Sequence, residues 1–250
     1  MTNKVHIAPE YFMNPLHPIT ITVVGVGGNG TQVLTDLAKI NSCLLQLDHP
    51  GFNVVAYDPD IVEQSNIGRQ KFSEADLGQY KSDVLITRLN RFYGFDWFSE
   101  SKEFNEKCPK TNIIISAVDN VQSRYVINEW FKGNGYHDNQ IYYWLDFGNG
   151  KDYGQYILGC KNVKQESNKW EVVNKLNTVY DLFPNMEKYE ELSGPSCSTR
   201  EALQKQDLFI NSVLVSTGMN LLWNLLTNYV ISFHGGYVNL KTGTTKSIKL

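Results

Sequence analysis

The sequence predicts a doubly wound α/β domain: a mostly parallel sheet with helices on both faces, completed by a C-terminal helix and a β-hairpin. Three observations carry this. Continuous runs of β-branched and apolar residues recur at ITITVVG (19–25), NVVAYD (53–58) and NIIISAV (112–118). Between them lie stretches with helical apolar spacing: TQVLTDLAKI, LGQYKSDVLITRLNRF (77–92) and VQSRYVINEWF (121–131). Strands that lack polar alternation are buried on both faces, and strand–helix alternation implies right-handed crossovers. Finally, 250 residues at 42% hydrophobic content suffice for one large core with a modest appendage.

The elements follow in order. Residues 1–18 form an arm ahead of the first strand. After the third helix, IYYWLDFGNG (141–150) and GQYILG (154–159) read as two strands joined by a glycine-rich turn. Residues 161–197 are polar and irregular, and are expected to form a mobile crossover segment. Ser198-Thr199-Arg200-Glu201 fits a capping box that starts a long helix. The tail GGYVNLKTGTTKSIKL alternates and contains Thr242-Gly243, so it predicts a hairpin. Residues 19–160 thus make the main unit, which 198–250 complete.

Composition excludes several classes. With 23 basic and 26 acidic residues the net charge is −3, which disfavours a dedicated nucleic-acid binder. No basic stretch followed by an apolar run opens the chain, so no signal peptide is expected. Residues 208–233 have no charged side chain and are long enough to span a bilayer. Yet Asn211, Asn220, Asn224 and Asn228 lie within them, and amides are costly in lipid. The last three are spaced by four, so a buried helix with one polar edge is expected instead, and no membrane contact. Cys43, Cys108, Cys160 and Cys197 form no CxxC pair and the five histidines are scattered. Neither zinc nor a disulfide framework is expected, a reducing cytoplasm is the expected compartment, and Cys43, Cys108 and Cys160 read as packing residues.

Three motifs carry chemistry. Gly25-Val26-Gly27-Gly28-Asn29-Gly30 follows a strand and opens a helix, the context of a phosphate-binding turn in a Rossmann-like fold. Alone it does not decide between nicotinamide, flavin and ATP. The second is Asp58-Pro59-Asp60-Ile61-Val62-Glu63-Gln64-Ser65-Asn66-Ile67-Gly68-Arg69-Gln70. A carboxylate at a strand end, Asp58, suits ribose hydroxyls. Asn66 and Arg69 follow closely and suit a polyphosphate, and Lys81, twelve residues on, adds a point charge. The third is Ser116-Ala117-Val118-Asp119-Asn120, where Asp119 ends an apolar strand. It suits Mg²⁺ beside a triphosphate, or caps the next helix, a role Asn120 also fits.

Together these residues resemble the ThiF/MoeB/HesA family, the adenylating domain of ubiquitin-activating enzymes. GVGGNG, DPDIVEQSNIGRQ, Lys81 and the AVDN at 117–120 carry the resemblance, and Arg124 and Asn128 also match. Within the family the chain is most similar to the ThiF-related members of PRTRC plasmid-type cassettes. The resemblance implies ATP and Mg²⁺ held by Gly25, Gly27, Gly28, Gly30, Asp58, Asp60, Asn66, Arg69, Lys81 and Asp119, with Mg²⁺ at Asp119. It implies that Arg69, Lys81 and Asp119 serve adenylation of the C-terminal carboxylate of a small ubiquitin-like β-grasp protein. A homodimer is also implied, for which the 208–233 helix offers an apolar face.

Three features depart from the family. The N-terminal arginine that many members extend to a partner subunit is missing, because Arg69 is the first arginine; Lys4 is the available substitute. The paired CxxC motifs are absent, and residues 160–195 are atypical. Cys197 lies where some relatives take up the activated partner, but equally suits an ordinary turn position. Rival functions are a nucleotide-dependent oxidoreductase, a non-catalytic nucleotide-binding scaffold, and adenylation of another carboxylate such as one on modified tRNA.

Overall fold

The computed structural model describes residues 4–133, 141–184, 186 and 206–250. Cys197 and the expected capping box at 198–201 lie outside them.

An eight-stranded sheet forms the centre. Its parallel half comprises β2 (Ile19–Val24), β3 (Phe52–Tyr57), β4 (Phe98–Glu100), β5 (Ile113–Ser116) and β6 (Tyr143–Asn149). Their spatial order is β6-β5-β2-β3-β4. An antiparallel half, β7 (Tyr153–Cys160), β10 (Phe233–Asn239) and β11 (Thr244–Lys249), extends from β6. The two hairpins expected at 141–159 and in the tail are therefore present.

Alternate residues of the parallel strands enter opposite cores, as the two-residue period requires. Ile113 and Ile115 pack on one face with α2 (Gly28–Gln46), α3 (Lys81–Tyr93) and a C-terminal helix, here α6 (Ile210–Asn228). Ile114 packs on the other face with α4 (Val121–Lys132) and the short α5 (Val179–Leu182). Helices thus cover both faces. Helix α6 buries Leu214, Leu221, Leu222, Leu225 and Leu226, each of which contributes about 1.5–3 kcal/mol. Asn220 and Asn228 are exposed, so the polar edge falls where its spacing placed it. Among the described residues no helix is long and apolar enough to cross a membrane.

Several expectations need correction. The helix expected over 77–92 starts at Lys81, because Gly78 has φ +76° and breaks any earlier turn. Residues 206–209 form a bend and turn, with the Asp207 carboxylate accepting from Phe209 N–H at 3.0 Å. Helix α6 therefore begins at Ile210 and does not continue from the capping-box sequence. Its buried apolar residues pack inside the chain, while Val213 stays exposed on it. Cys43 is exposed, not packed, since it falls on the outer side of α2, whereas Cys108 and Cys160 are buried. Burial pushes the Cys160 thiol up to about 12.

The arm, which also carries the short helix α1 (Glu10–Met13), and part of the polar segment join in a second, small sheet. β1 (Lys4–Ile7) lies between β8 (Glu171–Val172), to which it is parallel, and β9 (Val230–Ile231), to which it is antiparallel. Lys4 pairs with Glu171 of this sheet at 3.3 Å.

Candidate functional site

The site forms where three neighbouring parallel strands end. Val24 of β2 is in register with Tyr57 of β3 on one side and Ser116 of β5 on the other. The residues that follow, Gly25, Asp58 and Ala117, therefore leave the sheet at one level. Backbone bonds fix this: Gly25 N–H donates to Tyr57 O at 2.9 Å, and Ala117 N–H to Val24 O at 2.8 Å. Successive chain segments leave β2 toward opposite sides here, which opens a crevice at the switch in strand order.

The glycine turn is built for close approach. Gly25 has φ +90°, and a Cβ there would lie 2.8 Å from Ala117 O. A Cβ on Gly30 would meet Gly25 O at 1.9 Å. Any side chain at either position forces the turn off the strand ends. Gly27 is different: a Cβ there meets nothing within 4 Å, so space stands open over the turn. The first N–H groups of α2 have no intrahelical acceptor, so this end favours an anion.

Asp58 is knitted into the turn. Its carboxylate accepts from Val26 N–H at 2.5 Å and from Asp60 N–H at 2.8 Å. Burial pushes its carboxyl above the usual carboxylate range, and these two N–H groups pull it back. A carboxylate has about four acceptor positions, so two bonds leave capacity for hydroxyl donors. The next segment is closed on itself. Lys81 N–H donates to Asp60 O at 2.9 Å, and Lys81 Nζ pairs with the Asp60 carboxylate at 2.7 Å. Lys81 is buried while Asp60 is exposed. Asn66 Oδ1 accepts from Glu63 N–H at 2.9 Å, holding the loop's turn. Arg69 sits farther along, donating to Gln206 at 2.7 Å, and burial lowers its basicity.

After β5, Asn120 caps α4 by accepting from Ser123 N–H at 2.7 Å. Asn120 rather than Asp119 is therefore the cap, and Asp119 is left exposed with a 3.3 Å contact to the Asn120 amide. The loop beneath it is pinned from below. Buried Arg124 donates to Asp146 at 3.0 Å, to Val118 O at 2.8 Å and to Phe147 O at 3.0 Å. Asn128 is also buried, one turn further along α4.

Gly28 and Arg69 line one pocket of about 280 Å³, with Gln70, Lys71, Phe209 and Asn211. Lys81, Asp60 and Asp119 are not among its lining. In the sequence, Gln70 and Asn211 carry no sign of a site role: one ends a loop motif, and the other is an amide in an apolar helix. Burial without partners among the described residues distinguishes them.

Residues 3–137, more than half the chain, match the ThiF family. The chain belongs to that family. A curated relative, ubiquitin-like modifier-activating enzyme 5 of Arabidopsis thaliana, is 24% identical over 136 residues, 46% of this chain and 30% of the plant protein. Among solved structures, E. coli MccB with ATP aligns with a TM-score of 0.56 at 17% identity, covering 92% of this chain and 63% of that one. E. coli MccB with MccA gives 0.59 at 16%, covering 94% and 64%. PaaA gives 0.57 at 15%, covering 92% and 64%. At such identities these structures share the fold with this ThiF-family chain, and it spans less than two thirds of their length.

Proposed function

We propose that this ThiF-family chain binds ATP with Mg²⁺ over the Gly25–Gly30 turn and adenylates a carboxylate, that of the C-terminus of a small ubiquitin-like β-grasp protein. The observation that carries the proposal is the trio at the three strand ends: Asp58 fixed to the turn, open space over Gly27, and Asp119 exposed and released from capping. Family membership and the named relatives favour ATP over a nicotinamide.

In this reading Asp58 accepts ribose hydroxyls, and Asn66 and Arg69 address the phosphates. Lys81 joins them by exchanging the exposed Asp60 carboxylate for phosphate, so that the buried ammonium keeps an anionic partner. A carboxylate oxygen of the partner attacks the α-phosphorus while the bond to the pyrophosphate oxygen breaks, giving an acyl-adenylate and pyrophosphate. The attacking carboxylate is already ionised, so no general base is needed. Two anions must meet, so the chief tasks are charge compensation and alignment. Mg²⁺ supplies the former. Among the described residues no three His, Cys, Asp or Glu side chains gather; Asp119 would hold the ion beside the phosphates, since Mg²⁺ is commonly bound through a single carboxylate there.

The test is ATP–pyrophosphate exchange with a small β-grasp protein that ends in glycine. Exchange is expected with wild type, with a loss of about a hundredfold or more for Asp119→Ala and Arg69→Ala. Asp119 is exposed, so its variant should melt with wild type. ATP binding without exchange would leave a nucleotide-binding scaffold, and NAD binding in place of ATP would leave an oxidoreductase. If Cys197 receives the activated partner, Cys197→Ala keeps exchange and loses a reductant-sensitive adduct.

A further inference from the structure

Four buried side-chain atoms without a hydrogen-bond partner among the described residues belong to one pocket: Arg69 Nε, Gln70 Oε1, and both amide atoms of Asn211. Asn211 is 4% exposed and comes from the first turn of α6, well outside the residues matched to the family. Its amide occupies the space where a side chain on Gly28 would go: a Cβ there would lie 2.3 Å from Asn211 Nδ2. A fully apolar residue would satisfy the packing of α6 against α2, which is the contact this turn makes. A buried amide with nothing to bond is the costlier choice, and is explained by a ligand that completes it.

The lining indicates which ligand. Among the described residues it contains Arg69 and Lys71 and no acidic residue. Gly28, Thr31 and Gln32 bring the first turn of α2, whose unpaired N–H groups and dipole favour an anion. The volume, about 280 Å³, is below the roughly 300–1,000 Å³ of pockets that enclose a whole small-molecule ligand. It suits the phosphate end of a nucleotide rather than its base and sugar.

We propose that Asn211 is a binding residue for the terminal phosphates of a nucleoside triphosphate, and for the pyrophosphate that leaves, with its Nδ2 donating beside Arg69 at the start of α2. This rests on the nucleotide site proposed above. It adds a contact from the C-terminal helix that the glycine motif does not supply, and makes triphosphate recognition depend on how α6 docks.

Calorimetric titration of ATP, AMP and inorganic pyrophosphate into wild type, Asn211→Ala and Asn211→Asp tests it. Loss of a hydrogen bond to a charged group predicts about tenfold or weaker ATP and pyrophosphate binding in Asn211→Ala, with AMP held within about twofold. Asn211→Asp, which places a charge against the phosphates, should lose more. Equal weakening of ATP and AMP, or none, overturns the proposal, as does an effect seen only as a raised KM for the acceptor polypeptide. Wild type that binds none of the three removes the nucleotide reading itself. Wild type that binds ATP, with variants that do not discriminate, removes only the role of Asn211.

Discussion

Two sets of buried polar groups differ in how complete they are. Under the small second sheet, His6 is bonded at both ring nitrogens, to Val173 O and to Tyr143 Oη, each at 2.8 Å. His234 bonds Leu158 O at 3.0 Å, and the Cys160 thiol accepts from Leu176 N–H. At the mouth of α2, Arg69, Gln70 and Asn211 each keep a buried atom without a partner among the described residues. Finished polar networks hold a core together; unfinished ones await something. The first set joins the N-terminal arm to β6 and β7, and the second borders the open glycine turn.

That contrast breaks or stands on three measurements of ligand-free protein. The largest effect is expected for Tyr143→Phe. It leaves His6 Nε2 buried without a partner, which costs about 1–3 kcal/mol, read as a lowered denaturant midpoint. A midpoint unchanged would mean that the network is not holding the arm. Asn211→Leu should do the reverse or nothing: removing an unsatisfied amide is neutral to about 1 kcal/mol stabilising while nucleotide binding falls. A large loss of stability there would show that Asn211 is a packing residue after all.

The smallest effect is pH dependence. Burial holds His6 and His234 below the ordinary 6.5. The unfolded chain then takes up protons first as pH falls, so stability is level above about pH 6.5 and declines below it, by at most about 1.4 kcal/mol per unit of separation per group. Asp58 has the opposite sign: its raised carboxyl loses stability as pH rises through its folded value. Melting followed from pH 8 to 5 in an Asp58→Asn background isolates the histidines, and a flat profile there would count against a buried neutral pair.

Much of the site was legible because its parts are local. A continuous apolar strand followed by Gly25-Val26-Gly27-Gly28-Asn29-Gly30 can hardly be anything but a strand–turn–helix, since Gly25 and Gly30 tolerate no side chain. Asp58 and Ala117 could be placed beside it because parallel strands of similar length end together. The role of Asn120 was not decidable, as Asp119 and Asn120 are both able caps and only the loop's path separates them. Helix boundaries failed where a single backbone angle decided them, at Gly78, or where a side chain from outside the motif did, at Asp207. The pairing of Lys81 with Asp60 was hidden because the intervening 20-residue loop folds back on itself through contacts such as Val62 N–H to Gln79 O.

By itself, the sequence determined the strands, the crossing helices, the glycine turn and the family, because each is written in residues near one another in the chain. Only the tertiary structure decided what faces that turn. Asn211 is far from Gly28 in the chain, and in sequence it is one more amide on an apolar helix. It meets the turn because α6 packs across the start of α2, and Gly28, lacking a side chain, leaves room for the amide to reach it.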